Sequence, residues 1–519
     1  MKTFLMYKNS DYNLQQKLPW NEQSLIQDLE LNTLFNAMAK DDKFLFELAK
    51  STVLSGIDND VDTILYRQEI LKDCLKNEKI IRYIYDLSVE SIEKERKDYW
   101  GIFNRYPSLI LSRSLRVMEM FVVMLKELKT LADKYSGKFE SEGFKRFFAM
   151  LCKELDDEYF ISIQNHLKEL EFHQGILVSA GLGKGNKGFN YILRKLQAKK
   201  QSWFLKLIDD FIYRQRQEGK MYWLTRFFTE EPGIYTFYIS SRDDSGIRAL
   251  SQLKDEGINF VANSLAQSND HILSFFRMLR IELGFYIGGL NLYEQLTILE
   301  EPISFPKPAY NGQQLHSFKG LYDVCLALTR NQKVVGNDIV ADNKNLVIIT
   351  GANQGGKSTF LRSIGLSQMM MQCGMFVPAD SFVANICDSL ITHFKREEDI
   401  TMKSGKLDEE LSRMNIIIDN LTPDTILLFN ESFAATNERE GSEIARQIIS
   451  ALVEKHLKVF FVTHFYEFAH GFYKRKMENF LFLLAERQID TSRTFKLFEE
   501  EPLQTSFGED LFNNIFRNS

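Results

Sequence analysis

The 519-residue sequence predicts two architectures in series: a mostly helical region over about 1–300, then an α/β domain of phosphate-loop type over 301–519. Three observations predict this. The nonapeptide GANQGGKST (351–359) follows the apolar run LVIIT (346–350) and precedes a helix-forming stretch. Between Leu25 and about Ile303, apolar residues recur at three- and four-residue steps and prolines are scarce. Beyond the three prolines of EPISFPKPAYN (301–311), strand-like runs alternate with helical ones, the pattern of a sheet covered by helices on both faces.

In the first region the clearest helical periodicity lies in 29–54, 114–135 and 271–296. Long helices with few breakers read as a helical body or lever, and their Phe and Leu stripes as packing. Two stretches interrupt them. GLGKGNKG (181–188), which follows a strand-like ILVSA, reads as a flexible loop despite its G-x-G-x-x-G spacing; YTFYIS, bracketed by Pro232-Gly233 and Asp243 to Gly246, reads as a strand. In the second region, strands are expected at 346–350, 389–394, 425–429, 458–463 and 479–484. Helices are expected near 357–373, 406–421, 439–455 and 508–516.

Composition bounds the function. Hydrophobic residues make up 44% and charged residues 26%, ordinary for a globular protein. Charges interrupt every apolar run before it reaches membrane-spanning length, and the start, MKTFLMYKNSDYNLQQ, lacks an apolar core of signal-peptide length. Five scattered cysteines without a C-x-x-C pair imply neither a disulfide framework nor a zinc site, and a reducing, cytoplasmic setting is expected. A net charge of −6 argues against a coat of basic nucleic-acid contacts. The stretch 101–200 nevertheless carries 17 Lys and Arg against 11 Asp and Glu, which is either a solvated helical surface or a face for nucleic acid.

The candidate chemistry sits at strand ends. Gly351, Gly356, Lys357 and Ser358 meet the spacing G-x-x-x-x-G-K-[ST]. Glycines let backbone N–H groups converge on a polyphosphate, and the following helix presents its positive end to the same anion. Lys357 would reach the β- and γ-phosphates, and the Ser358 hydroxyl would bind Mg²⁺. The strand 425–429 ends in Asn430-Glu431. Glu431 can orient and activate an attacking water, whereas Asn430, standing where a Mg²⁺-supporting carboxylate is usual, can only accept from a metal-bound water. A third strand ends in Thr463-His464, and a histidine there can touch the γ-phosphate or its water. The charged segment 392–414 is either a solvated helix face or, at its Ser-Gly-Lys turn, a γ-phosphate contact for a neighbouring subunit.

The segments 334–379 (VVGNDIV…GMFVPA), 426–445 (ILLFNESFAATNEREGSEIA) and 459–469 (VFFVTHFYEFA) together resemble the ATPase domain of the MutS family of DNA mismatch-repair proteins. TSFGEDLF (505–512) is similar to that family's Ser-Tyr-Gly segment, and LYRQEILKDCL (65–75) to the arginine-glutamine segment of its lever region. The resemblance implies an ABC-type, MutS-like ATPase domain behind an all-α lever. It implies that Asn353, Gly355, Gly356, Lys357, Ser358 and Thr359 hold ATP and Mg²⁺, that Glu431 is the hydrolytic acid and that His464 senses the γ-phosphate. Ser404 falls near a serine that reaches into the partner's site, and Asn430 replaces the family's aspartate, which is expected to lower Mg²⁺ affinity or turnover. The family's N-terminal mismatch-reading domain is expected to be missing. The function so implied is an ATP-switched homodimer acting on mismatched, branched or recombining DNA. A nucleotide-gated scaffold that hydrolyses poorly and binds protein partners is the alternative.

Overall fold

The computed structural model describes residues 1–97, 106–172, 176–182, 188–194, 243–310, 312, 314–396, 405–487 and 493–504. The helices of the first region are α1 (Glu22–Asp28), α2 (Leu31–Ala39), α3 (Lys43–Ser55), α4 (Val61–Lys76), α5 (Glu78–Lys97), α6 (Pro107–Tyr135), α7 (Glu142–Glu154), α8 (Asp157–Leu170) and α9 (Asp244–Ile298). Several start on an aspartate whose carboxylate accepts the orphan amides of the first turn: Asp42 before α3, Asp60 before α4 and Asp156 before α8. Between α8 and α9, strands β1 (Leu177–Leu182) and β2 (Gly188–Arg194) pair antiparallel. The expectation of an all-α first region is corrected here, because the glycines of 181–188 break the helical pattern and the runs on either side pair with each other. Gly183, Gly185 and the expected strand YTFYIS lie outside the described residues.

The chain forms two compact units: Met1–Glu90 with Leu128–Glu154 and Phe275–Ser519, and Ser91–Glu127 with Leu155–Ser274. The division does not fall at residue 300: the larger unit takes in residues from both sides of it. In the smaller unit Leu111, Ile258 and Ala262 form a buried cluster, and the buried Asn269 donates to the Ser114 carbonyl at 2.9 Å. A Cβ at Gly257 would lie 2.7 Å from Val178 Cγ2, so that glycine lets the β1–β2 pair approach α9.

The larger unit holds the remaining elements: β3 (Lys307–Ala309), β4 (His316–Leu321), α10 (Val324–Arg330), β5 (Asn337–Val340), β6 (Leu346–Gly351), α11 (Lys357–Gln372), β7 (Ser381–Asn385) and β8 (Ser389–Phe394). There follow α12 (Lys406–Asp419), β9 (Thr425–Asn430), α13 (Glu438–Glu454), β10 (Lys458–Val462), α14 (Tyr466–Tyr473), β11 (Phe480–Arg487) and β12 (Arg493–Glu499). A six-stranded sheet runs β12-β11-β6-β10-β9-β8 and a four-stranded one runs β3-β7-β4-β5. In the larger sheet β8, β9, β10, β6 and β11 are parallel and β12 is antiparallel at the edge. Every residue of β6 is buried, as its continuous apolar run requires of a central parallel strand.

One face of the large sheet packs Ile348, Phe429 and Phe461 against Met414 of α12, Ile449 of α13 and Phe468 of α14. α11 covers the other face. All but three of its 16 residues are buried. The reason is a second layer outside it. A Cβ at Gly365 would lie 2.8 Å from Leu29 and 2.9 Å from Leu428, so α11 is pressed between the sheet and the N-terminal helices. Polar ties close the layer: Asn59 Nδ2 donates to Gln372 O at 2.9 Å, and Gln372 Nε2 donates to Ile57 O at 2.8 Å. The fully buried Arg67 of α4 donates from Nε to Met6 O at 2.9 Å and from Nη1 to Cys373 O at 3.2 Å, which places its charge at the negative end of α11. Glu282 of α9, buried, accepts the Leu5 amide at 2.7 Å and the Tyr12 amide at 3.2 Å. These contacts place the first ninety residues in one unit with the α/β sheets. Among the described residues no helix is long and apolar enough to cross a membrane.

Candidate functional site

Parallel strands that end together deliver their following loops to one edge of a sheet. Here β6, β9 and β10 are neighbours in register, so Gly351, Asn430 and Val462 finish at the same edge. The loop after β6 turns on Gly351 with φ +114°, where a Cβ would lie 2.8 Å from the Ala485 amide of β11. It turns again through Gln354, φ +60°, and Gly356, φ +85°, into the first turn of α11. No side chain caps that helix, so its first amides remain available to an anion.

Lys357 is 5% exposed, and its Nζ donates to Gly351 O at 3.1 Å and Ala352 O at 2.8 Å. Burial pulls this ammonium down from 10.5 to about 8, against the pull of Glu431 in the opposite direction. Ser358 Oγ donates to Asn430 Oδ1 at 2.8 Å. The two side chains expected to serve Mg²⁺ are therefore adjacent. Glu431 adopts φ +52°, and its amide donates to Val462 O at 2.9 Å. Its Oε1 lies 2.8 Å from His464 Nε2. That hydrogen bond, more than the neighbouring cations, holds the Glu431 carboxyl below the usual carboxylate range despite partial burial.

Asn353, Gly355, Lys357, Ser358, Thr359 and Glu431 line one cavity of about 630 Å³. Gly356 lines it too; Gly351, Asn430 and His464 stand behind, touching it through Lys357, Ser358 and Glu431. Ser404 and the segment 505–512 lie outside the described residues. Several lining residues carried no sequence expectation. Arg493 of β12 donates from Nε to Asn353 O at 3.4 Å, and Phe495, φ +60° and 43% exposed, lies across Gly356. Asn337 of β5 fixes that strand by donating to Phe495 O at 3.2 Å and accepting from the Leu497 amide at 2.9 Å. The available signal was the alternation in RTFKLFE (493–499), a half-buried strand pattern.

The cavity volume is in the range of small-molecule and cofactor sites. Its walls combine the cations of Arg330, Lys333, Lys357 and Arg493 and the carboxylates of Asp323 and Glu431 with helix-end amides and the Phe495 ring, a set that suits a nucleoside polyphosphate with its counter-ion. For a divalent cation the Ser358 hydroxyl in the wall and the Asn430 amide oxygen behind it stand together, with the Glu431 carboxylate also in the wall; among the described residues no group of three or more His, Cys, Asp or Glu side chains could hold a metal. That set fits Mg²⁺, which keeps most of its waters and draws further oxygens from phosphate.

Comparison with known proteins gives matches over most of the chain. Residues 347–513 match the model of MutS domain V, and residues 59–217 and 209–299 match that of the MutS2 N-terminal domain. The chain is 34% identical to the DNA mismatch repair protein MutS of Thermotoga maritima over 64% of its own length and 40% of the relative's. It is 24% identical to that of Thermotoga sp. (strain RQ2) over 78% of this chain and 47% of the relative, and 30% identical to that of Leuconostoc citreum over 35% and 21%. The chain thus spans less than half the length of these curated relatives.

Proposed function

The chain belongs to the MutS family, and from that premise we propose that it is an ATP-hydrolysing, DNA-binding switch that works as a homodimer. The single observation that carries the ATPase reading is the Glu431–His464 pair, 2.8 Å apart beside the cavity that Lys357 and Ser358 also reach. The glycine loop and the first amides of α11 receive the phosphates, and Lys357 leaves its two carbonyl partners to neutralise them. Glu431, whose carboxyl the His464 hydrogen bond holds below the usual range, is ionised at neutral pH and can accept a proton from a water aligned with the γ-phosphate. Glu431 and His464 are the catalytic pair in this reading, and His464 reports the γ-phosphate through the same hydrogen bond. Mg²⁺, held by Ser358 and through water by Asn430, would supply positive charge to the phosphates. Asn430 brings no charge of its own, which supports slow turnover.

ATP binding at an interface between two such domains would draw them together, and hydrolysis would release them. DNA of mismatched, branched or recombining form would be held by the helical lever, mainly through its phosphates.

Steady-state ATPase assays test the core of this. Glu431→Gln is expected to lower kcat about 100-fold or more while a fluorescent ATP analogue still binds. Asn430→Asp is expected to lower the Mg²⁺ concentration needed for half-maximal rate. A parent protein as inert as Glu431→Gln would overturn the ATPase reading in favour of a nucleotide-gated scaffold for protein partners.

A further inference from the structure

The loop that carries Glu431 is strained twice. Glu431 has φ +52° and Phe433 φ +64°, and neither is glycine. Left-handed backbone at such residues is unfavourable and persists only where neighbours impose it. The Glu431 amide bond to Val462 O restrains the first. The second is restrained by the Glu410 carboxylate, which accepts the Phe433 amide, and by the ring of a buried histidine that no expectation included.

His393 is the fifth residue of β8, paired in register with Phe429 of β9, and is 1% exposed. Its Nδ1 lies 2.8 Å from Ser432 Oγ, and Ser432 Oγ lies 2.5 Å from the His393 carbonyl. Its Nε2 lies 3.1 Å from the Glu410 carbonyl in α12. Its ring stacks on Phe433 with centroids 5.3 Å apart and planes at 23°. Ser432 is also 1% exposed, so every one of these groups has left water. Burial, with Arg413 and Arg396 adding to it, keeps the imidazole neutral, its pKa down at about 4. A neutral ring bonded to Glu410 O must carry its proton on Nε2, which makes Nδ1 an acceptor. The Ser432 hydroxyl then has one proton and two acceptors in reach, Nδ1 and the carbonyl of the same histidine. A bond to Nδ1 ties Ser432 to the ring and a bond to the carbonyl ties it to the backbone of the same residue; His393→Leu cuts the first and Ser432→Ala cuts both.

We propose that His393 is a positioning residue for hydrolysis: it holds Ser432 and Phe433, the two residues after Glu431, and anchors them to helix α12, thereby fixing where the Glu431 carboxylate points. Two further bonds run along the same seam: Arg413 Nη2 of α12 donates to Phe394 O at 3.0 Å, and the Lys395 amide donates to Asn430 O at 3.0 Å. β8 and α12 thus meet the end of β9 through His393 and its neighbours.

The inference rests on the reading of Glu431 as the hydrolytic acid. The test uses the full chain and four variants: His393→Leu, which keeps the bulk and loses both nitrogens, Ser432→Ala, the two combined, and Ser432→Thr, which keeps the hydroxyl. His393→Leu and Ser432→Ala are each expected to lower kcat about tenfold or more, with KM for ATP and binding of a fluorescent ATP analogue changed less than about threefold. The double variant is expected to lose no more than the worse single one, because both cut the same link, and Ser432→Thr to stay within about threefold of the parent. Unchanged kcat in Ser432→Ala, or losses in nucleotide binding as large as those in kcat, would overturn the proposal. Glu431→Gln in the same assay separates the two ideas. If it turns over like the parent, the hydrolytic reading falls and this one with it; if it is dead while Ser432→Ala is unaffected, only this one falls.

Discussion

Lys357 is held in a state that only an anion can relieve. Burial has lowered its pKa from 10.5 to about 8, so above pH 8 the unliganded side chain loses its charge. Bound phosphates favour the charged form, and nucleotide binding above pH 8 must take up a proton. ATP-analogue affinity is therefore expected to be flat from pH 6.5 to 7.5 and to weaken by nearly tenfold per unit between about pH 8 and 10. Fluorescence titration across that range checks it, and Lys357→Met should abolish both the dependence and most of the binding. For stability the sign is separate. The folded-state pKa lies below the unfolded one, so between about pH 8 and 10.5 the unfolded chain binds more protons. The cost of burying this charge is then fully present below pH 8 and fades as pH rises through that window. The residues of this site were legible where a motif spacing names them, as at Lys357, Ser358 and Glu431. His393, Arg493 and Phe495 were not, since each acquires its place through contacts with segments distant in sequence.

Elements were legible in proportion to how local their causes are. β8 spans 389–394 as its apolar run suggests, and α11, β9 and α13 begin or end within a residue or two of expectation. The four-stranded sheet went unseen because β3 and β5 have only three and four residues, too few to display a period. The burial of α11 on all sides also went unseen: nothing in 357–372 announces that Leu29 or Arg67 will lie against it. That second layer is open to test at Gly374, just past the C-terminal end of α11. Its φ is +87°, and a Cβ there would lie 2.5 Å from Arg67 Cβ. Backbone strain and overpacking together should make Gly374→Ala less stable by about 2–4 kcal/mol. Gly137→Ala, where nothing lies within 4 Å of the added carbon, should be close to neutral. Thermal or urea unfolding of the two variants beside the parent gives the comparison.

For the whole molecule, helical first region and α/β second region were legible from periodicity, yet the compact units do not divide there. Long-range packing onto α11 puts residues 1–90 with the sheets, and periodicity carries no information about partners. The proposed DNA role belongs to this scale. Binding to duplex, mismatched and four-way DNA is expected at low salt and to weaken steeply as salt rises, with a log–log slope set by the number of phosphates contacted. Glu431→Gln with ATP and Mg²⁺ is expected to sediment as a larger species than without nucleotide. No DNA binding at low salt would remove the DNA function and leave the ATPase standing; no change in sedimentation would remove the switch. The Ser358–Asn430 hydrogen bond also bears on how such a switch would be supplied. Two uncharged oxygens, one already accepting the other's proton, give a bare divalent ion little reason to shed its hydration shell. The metal would enter as the escort of a triphosphate, one package in one event, and the protein would follow the cell's nucleotide pool while staying blind to free magnesium.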